Sequence, residues 1–254
     1  PTACMNRFRS LYLLSIPVLA MGCVFLLYGL LSLLLFRDQL HIPFFELAAG
    51  TMLAGIAGLF GISRKLENIG YRESLLFVTL TWSMLGVLGG LPFMLINGLS
   101  FTDATFEAIS GLTTTGATTI TGLDGLPKSL LMYRQFLHWM GGLGVIIFVV
   151  AIMPMLNIGG MRLYKAETPG PVKGEKLAPR ISHTARYLWY VYVVITLACI
   201  TAYWLAGMNL YDAVAHAFAT VSTGGFSTHD ASISYFNSPA IELVTIVFML
   251  LGAM

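Results

Sequence analysis

Long apolar runs alternate with short polar connections along the whole chain. A helix needs about 20 apolar residues to cross a hydrocarbon core of about 30 Å. The pattern therefore predicts six membrane-spanning helices, at 11–36, 43–62, 74–97, 129–157, 186–207 and from Tyr235 onward. Because the last run is still apolar at Met254, we expect the chain to be the N-terminal part of a longer protein.

The composition agrees with a chain that is embedded in lipid. Hydrophobic residues make up 57% of it, charged residues only 10%, and the mean hydropathy is +0.79. Soluble domains carry about a quarter charged residues, so a soluble fold is excluded. The net charge of +2 is too small for a nucleic-acid footprint. We therefore expect the lipid bilayer as the environment and no nucleic-acid partner.

The basic residues predict the orientation, since cytoplasmic connections carry an excess of Lys and Arg. Of the 14 Lys and Arg residues, all but Arg37, Lys128 and Arg134 fall near the N-terminus or within 64–72 and 158–186. Those regions are expected in the cytoplasm, together with the N-terminus. The connections at 103–128 and 209–237 then face outside.

Each of these two outer connections begins with a segment too short to cross the membrane. The segments are TDATFEAISGL at 102–112 and LYDAVAHAFATV at 210–221, followed by the polar runs TTTGATT at 113–119 and STGGFST at 222–228. At 1.5 Å per residue, such a helix reaches about halfway through the core. A half-helix, a polar loop and a following span are typical of a re-entrant pore loop. Taken singly, each run is also compatible with an ordinary external turn.

The two segments are copies of one another, because they align without a gap when the sequence is shifted by 109 positions. The identical pairs include Asp103/Asp212, Ala104/Ala213, Ala108/Ala217, Thr114/Thr223, Gly116/Gly225 and Thr119/Thr228. This repeat favours the pore-loop interpretation, and parallel repeats are expected to form a functional site around a common axis.

The predicted fold class is an all-α polytopic membrane protein, with repeated units of helix, re-entrant pore loop and helix behind a two-helix N-terminal extension. The expected domains are the extension at 10–63, a first repeat at 74–157, a cytoplasmic loop at 158–183 and a second repeat at 184–254. The second repeat is truncated in its last helix.

The polar runs suit the binding of a dehydrated cation, because backbone carbonyls on a short extended loop supply oxygen ligands without a net charge. The candidate ion-binding residues of this selectivity filter are Thr114, Thr115, Gly116, Thr223, Gly224 and Gly225. Asp103 and Asp212 suit the positive N-terminal ends of the half-helices, which leaves the negative ends directed at a cation. Thr113 and Ser222 are expected to support the loops.

Glu107 lies one turn into the first half-helix, and its counterpart is His216. We expect Glu107 to brace the loop from behind, with Arg134 as the nearest candidate partner; a direct role in permeation is the alternative. Arg134 and His138 share a helix face, which interfacial anchoring explains as well as permeation does. No Ser/His/Asp set, paired metal ligands or phosphate-binding loop occurs at a suitable depth, so neither an enzyme nor a resident cofactor is predicted.

Three segments resemble a known family: FEAISGLTTTGATTITGLDGLPKSLLMYRQFLHWMGGLGVIIFVVAIMP at 106–154, IGGMRLYKAETPGPVK at 158–173 and STGGFSTHDASISYF at 222–236. The family is TrkH, the membrane subunits of bacterial Trk potassium-uptake systems, in the Trk/Ktr/HKT superfamily. Carried over by motif, the first two filter glycines are Gly116 and Gly225. The chain holds one complete repeat and most of a second, whereas the family has four.

The resemblance implies K⁺ as the transported ion and four repeats around one pore. It also implies a place in the bacterial cytoplasmic (inner) membrane, a homodimer, and a cytoplasmic nucleotide-binding regulatory subunit, TrkA. Two other functions are compatible with the residues: a non-transporting membrane scaffold subunit, and a sodium-preferring transporter of the same fold. Channel-like and proton-coupled transport are both open, and Glu242 has no interpretation.

Overall fold

The computed structural model describes residues 2–60, 71–152 and 177–254. These residues form α-helices joined by short connections, and no strand occurs among them. The helices are α1 (Thr2–Leu31), α2 (His41–Phe60), α3 (Tyr71–Asn97), α4 (Phe101–Leu112), α5 (Lys128–Ile152), α6 (Leu177–Leu205), α7 (Leu210–Val221) and α8 (Pro239–Ala253). The predicted all-helical fold is confirmed.

Four helical segments of the described residues are long and apolar enough to span a membrane. They are Leu14–Phe36, His41–Phe60, Leu76–Asn97 and Arg186–Leu205. The first continues α1 through a π-helical turn at Ser32–Phe36. These segments correspond to four of the six predicted spans. Helix α5 lies in the predicted span 129–157, and its 25 residues extend for about 37 Å.

The last helix begins later than its apolar run suggests. Residues Ser232–Phe236 form a 3₁₀ helix, and Asn237 takes a left-handed backbone conformation with φ of 42°. Helix α8 then begins at Pro239, because proline's fixed φ and missing N–H suit the first position of a helix. The expected start at Tyr235 is therefore wrong, since hydropathy does not reveal this turn.

Some predicted elements lie partly outside the described residues. These are the ends of the spans 43–62 and 129–157, most of the turn at 64–72, and residues 158–176 of the predicted cytoplasmic loop. Residues 177–183 of that loop belong to α6, which begins at Leu177. The predicted domain boundaries stay predictions.

The chain forms two compact units, one of Pro1–Gly111 with Gly116–Leu137 and one of Leu112–Thr115 with His138–Met254. In the first unit, α1 and α2 pack closely because α2 carries glycines on its buried side. A Cβ atom on Gly55 would lie 2.6 Å from Cγ of Leu19, and one on Gly58 would overlap the hydroxyl of Ser15.

Helices α3 and α4 of the first unit are in equally close contact. A Cβ atom on Gly90 would lie 2.9 Å from the carbonyl oxygen of Ala104, and one on Gly86 would lie 2.5 Å from Cγ1 of Ile109. Next to them, the fully buried Tyr133 donates a hydrogen bond of 2.8 Å to the carbonyl of Gly89. The half-helix α4 is thus held against a span along its length.

In the second unit, glycines let two long helices approach the ends of the half-helices. A Cβ atom on Gly141 of α5 would overlap the carbonyl oxygen of Leu112, the last residue of α4. A Cβ atom on Gly252 of α8 would overlap that of Val221, the last residue of α7. These glycines therefore serve close packing of the backbone.

Asp38 ties the connection between α1 and α2 to the start of α5, within the first unit. Its carboxylate accepts a hydrogen bond of 2.9 Å from the backbone N–H of Ser129 and another from the hydroxyl of Ser32. Burial alone would raise the pKa of Asp38, but the hydrogen bonds from Ser32, Ser129 and Leu40 outweigh burial and lower it. An anion at the N-terminus of α5 is also favourable for the helix dipole.

Replacing Asp38 by Asn should lower the free energy of unfolding by about 1 kcal/mol at neutral pH, because the charge-assisted hydrogen bonds are lost. Since folding lowers the pKa of Asp38, its stabilisation is present above the pKa of the unfolded chain. It is lost as the pH falls through the lowered pKa of the folded chain. Thermal unfolding of the complete protein in detergent, from neutral pH to about pH 3, measures this.

The exposed Glu46 of α2 offers a control, since Glu46→Gln also replaces a carboxylate by an amide in the same unit. A loss of stability no larger in Asp38→Asn than in Glu46→Gln would contradict the assignment.

Candidate functional site

The two half-helices are equivalent in length and register. Helix α4 spans Phe101–Leu112 and α7 spans Leu210–Val221, each with 12 residues and about 18 Å long. Both ends of α7 lie 109 positions after the ends of α4. The repeat found in the sequence is therefore present in the secondary structure, and each half-helix covers little more than half of a hydrocarbon core.

The half-helices also begin in the same way. The N–H of Asp103 donates to the hydroxyl of Ser100 at 3.1 Å, and that hydroxyl donates to the Asp103 carboxylate at 2.7 Å. In the second copy, the N–H of Asp212 donates to the side-chain oxygen of Asn209 at 2.9 Å, and the Asn209 amide donates back at 2.6 Å. In both copies the N-cap side chain thus accepts a backbone N–H and donates to the aspartate three residues later. Asp103 and Asp212 therefore lie at the positive ends of the half-helices.

The loops after the half-helices share an unusual backbone. Thr114 and Thr223 have φ of 53° and 56°, and Gly116 and Gly225 have φ of 77° and 88°. A β-branched residue with positive φ is an outlier that persists only where the surroundings enforce it. Glycine adopts such angles without this cost. Both copies therefore hold the same irregular conformation at the positions singled out from the sequence.

The six candidate residues differ in exposure within their own units. Thr114 and Gly116 are half-buried, Thr115, Thr223 and Gly225 are exposed, and Gly224 is buried. The supporting residue Thr113 shares a hydrogen bond of 2.8 Å with the hydroxyl of Thr115.

In the second copy, the hydroxyl groups near the helix end hold the loop. The hydroxyl of Ser222 donates to the carbonyl of Phe218 at 2.8 Å, and that of Thr223 donates to the carbonyl of Ser222 at 2.7 Å. Both hydroxyl protons are therefore engaged by the backbone.

The first loop is held from behind by Glu107, whose side chain is completely buried. Its carboxylate accepts bonds from the hydroxyl of Thr118 at 2.9 Å and from the N–H of Thr119 at 3.0 Å. Arg134 is also buried, and its Nε lies 2.6 Å from Oε1 of Glu107. The structure thus brings Glu107 and Arg134 together. Their role in permeation stays a prediction.

The second loop is held at the same place by an imidazole, where the first has a carboxylate. Nδ1 of His216 lies 2.9 Å from the carbonyl oxygen of Asp212, which only accepts, so Nδ1 carries a proton. In the neutral ring, Nε2 then accepts from the hydroxyl of Ser227 at 2.9 Å. The hydroxyl of Thr228 donates to the carboxylate of Asp212 at 2.8 Å. His216 and Ser227 correspond to Glu107 and Thr118 in the repeat.

A contact that sequence reasoning leaves undecided involves His138 of α5. Its fully buried ring stacks on Phe226 of the second unit, with centroids 3.9 Å apart and planes 12° from parallel. A Cβ atom on Gly224 would overlap this ring. The sequence gives one signal of this close contact. Gly224 aligns with Thr115 in the repeat, so the second copy lacks a side chain where the first has one.

The sequence model of the TrkH family, described as a cation transport protein, matches residues 44–254. This chain belongs to the TrkH family. Its members are cation transporters and not enzymes, and the apolar helices agree with a membrane protein.

Three similar proteins are described as Trk system potassium uptake proteins. The chain is 49% identical over 249 residues to the Trk system potassium uptake protein TrkH of Vibrio parahaemolyticus, covering 97% of this chain and 51% of the relative. It is 51% identical over 212 residues to TrkH of Escherichia coli, covering 82% and 43%. It is 47% identical over 184 residues to the potassium uptake protein TrkG of Escherichia coli, covering 72% and 38%.

The solved crystal structure of the potassium transporter TrkH from Vibrio parahaemolyticus has the same fold. The match has a TM-score of 0.85 at 44% identity and covers 97% of this chain and 50% of the transporter. The chain therefore spans about half the length of the TrkH proteins that it resembles.

Replacing Glu107 by Gln should lower the free energy of unfolding by about 3–5 kcal/mol, because the buried guanidinium of Arg134 loses its counter-charge. Replacing Arg134 by Gln should cost a similar amount. The double replacement should cost less than the sum of the two, since neither charge is then left alone. Unfolding of the complete transporter in detergent measures all three.

Glu242 supplies the matched control, as an exposed glutamate in the first turn of α8. Glu242→Gln is expected to change stability by less than about 0.5 kcal/mol. Equal effects of Glu107→Gln and Glu242→Gln would show that the buried pair contributes nothing.

Proposed function

We propose that this chain takes part in potassium uptake, with the loops 113–119 and 222–228 supplying backbone carbonyls as ligands for a dehydrated K⁺. The observation that carries the proposal is the repeated conformation of these loops. Left-handed threonine is followed two residues later by left-handed glycine in both copies, directly after a half-helix. Two copies of one irregular backbone are difficult to explain as two ordinary turns.

Carbonyl oxygens suit K⁺ because they replace its hydration shell without holding the ion too tightly. The loop residues from Ala117 to Ile120 and from Gly224 to Ser227 belong to neither helix nor strand. Their carbonyls are therefore not used in a regular ladder. Two of these carbonyls accept side-chain hydroxyl groups, that of Ala117 from Ser110 at 2.6 Å and that of Ile120 from Thr118 at 3.4 Å. Irregular backbone at membrane depth is tolerated where it lines a water-filled cavity, which fits the exposed Thr115 and Gly225.

The electrostatics of each half-helix support a cation. The loops begin directly after the C-terminal residues Leu112 and Val221, where the helix dipole is negative. The carboxylates of Asp103 and Asp212 lie at the opposite ends. In this proposal Thr114, Thr115, Gly116, Thr223, Gly224 and Gly225 contact the ion, whereas Glu107 and Arg134 position the first loop and do not touch it.

The wider assembly is also proposed from the family resemblance. The transporter lies in the bacterial inner membrane with its N-terminus in the cytoplasm, forms a homodimer, and is regulated by the cytoplasmic nucleotide-binding subunit TrkA. The distribution of Lys and Arg supports the orientation. The relatives' names refer to a Trk system, which supports the association with further Trk components.

Replacing Gly225 by Ser in the complete transporter should lower the ratio of K⁺ to Na⁺ transport. A Cβ atom at a φ of 88° strains the backbone by about 1–2 kcal/mol, although nothing lies within 4 Å of it. The strain must therefore shift the carbonyls rather than displace a neighbour. Competition of K⁺, Rb⁺ and Na⁺ for flux into vesicles containing the purified transporter measures the change.

Gly207 is a matched control, because its φ of 106° is equally left-handed and its Cβ position is equally open. Gly207→Ser should cost similar stability and leave the ratio unchanged. An unaltered ratio in Gly225→Ser would contradict the filter. Absence of ion flux from the unmodified transporter would favour a scaffold, and preference for Na⁺ would favour a sodium transporter.

A further inference from the structure

We propose that His138 is a positioning residue for the second loop, and that its flat ring sets the spacing of the carbonyls at Gly224 and Gly225. The inference rests on the proposed filter function and concerns only the second compact unit. His138 does not touch the ion in this proposal. It acts through the backbone that its ring supports.

The ring is enclosed between α5 and the loop. Its side chain has an exposed fraction of 0%, and Phe226, which follows Gly225 directly, is exposed by only 3%. The two rings are stacked with centroids 3.9 Å apart. Because both rings are buried and flat against each other, the stack restricts the direction in which the chain leaves Gly225.

Gly224 shows that the ring supports the backbone itself. A Cβ atom at this position would overlap Nδ1 and Cε1 of His138 and would lie 2.7 Å from its Cγ. Real Cβ atoms do not approach other atoms so closely, so the backbone of Gly224 rests directly against the imidazole. Any larger residue at 224 must move either the ring or the loop.

The next turn of α5 supports the start of the same loop. A Cβ atom on Gly142 would lie 3.0 Å from Cβ of Ser222. His138 and Gly142 are four residues apart and therefore share one face of the helix. The α5 face formed by these two residues thus contacts the loop at Ser222 and again at Gly224.

This part of α5 is itself anchored. Trp139 packs on Phe218 of α7 with centroids 5.4 Å apart, and its Nε1 donates to the hydroxyl of Thr196 at 3.1 Å. The hydroxyl of Tyr192 donates to the carbonyl of Trp139 at 3.1 Å. Because this part of α5 is anchored, the ring of His138 holds the loop in a fixed position. Discrimination between K⁺ and Na⁺ requires ligand positions that are held within about 0.5 Å.

The decisive experiment is the ratio of K⁺ to Na⁺ flux in vesicles containing the complete transporter. His138→Ala should lower the ratio by roughly tenfold, because the loop gains space and its carbonyls lose their fixed spacing. His138→Phe keeps a flat ring of similar size and should stay within about twofold of the unmodified ratio. His41→Ala, which removes a ring in edge-to-face contact with Phe45 of α2, is the control and should leave the ratio unchanged.

A second pair of variants separates positioning from folding. Gly224→Ala should reduce K⁺ flux strongly, because its methyl group overlaps the ring. Combining it with His138→Ala removes the overlap, so flux should recover above that of Gly224→Ala alone. Recovery is expected only if these two residues contact each other as described.

Three results would overturn the inference. They are an unchanged ratio in a His138→Ala transporter that is folded and active, a loss in His138→Phe as large as in His138→Ala, and no recovery in the double variant. In each of these cases a K⁺-selective unmodified transporter would leave the proposed function intact. Absence of selective flux in the unmodified transporter would overturn the function and the inference together.

Discussion

Every backbone polar group within a bilayer must find a partner, and the two loops after α4 and α7 are the places where regular helix cannot provide one. Each loop contains a threonine and a glycine with positive φ. Such backbone persists only where its surroundings hold it. The N-cap hydrogen bonds, the buried side chains behind the loops and the glycine contacts at the half-helix ends all serve this requirement. The half-helices are therefore best understood as supports for the loops.

The two copies hold their loops with the same hydrogen-bond geometry but with chemically different side chains on the half-helix. In each copy, a loop hydroxyl donates to a buried side chain of the half-helix and accepts the backbone N–H of the residue two positions later. In the first copy, Thr118 donates to Glu107 and accepts from Ile120. In the second, Ser227 donates to His216 and accepts from His229. A buried carboxylate needs a counter-charge, which Arg134 supplies. A neutral imidazole needs none. The exchange of Glu for His in the repeat thus accounts for the arginine that faces Glu107 in the first copy.

Many of the helices and the repeat of the half-helices could be predicted from the sequence, since apolar runs and a gapless repeat are visible in the order of residues. The bounds of α7 and the pairing of Glu107 with Arg134 are of this kind. The start of α8 at Pro239 was not, because the left-handed Asn237 leaves no trace in hydropathy. The stacking of His138 on Phe226 was not either. A histidine in an apolar helix fits several environments, and only tertiary packing decides among them.

The pattern of divergence between the copies separates what forms the loop from what supports it. The left-handed positions are identical, Thr114 with Thr223 and Gly116 with Gly225, and their φ angles differ by only a few degrees at threonine. The supports differ, because the half-helix carries Glu107 in the first copy and His216 in the second, and the ring of His138 lies against Gly224 of the second loop. Since unlike supports accompany like backbone, either support holds the same conformation at the threonine and glycine positions. In the proposed function, the ligands of the two copies therefore share one backbone conformation, which a buried ion pair holds in the first copy and an imidazole in the second.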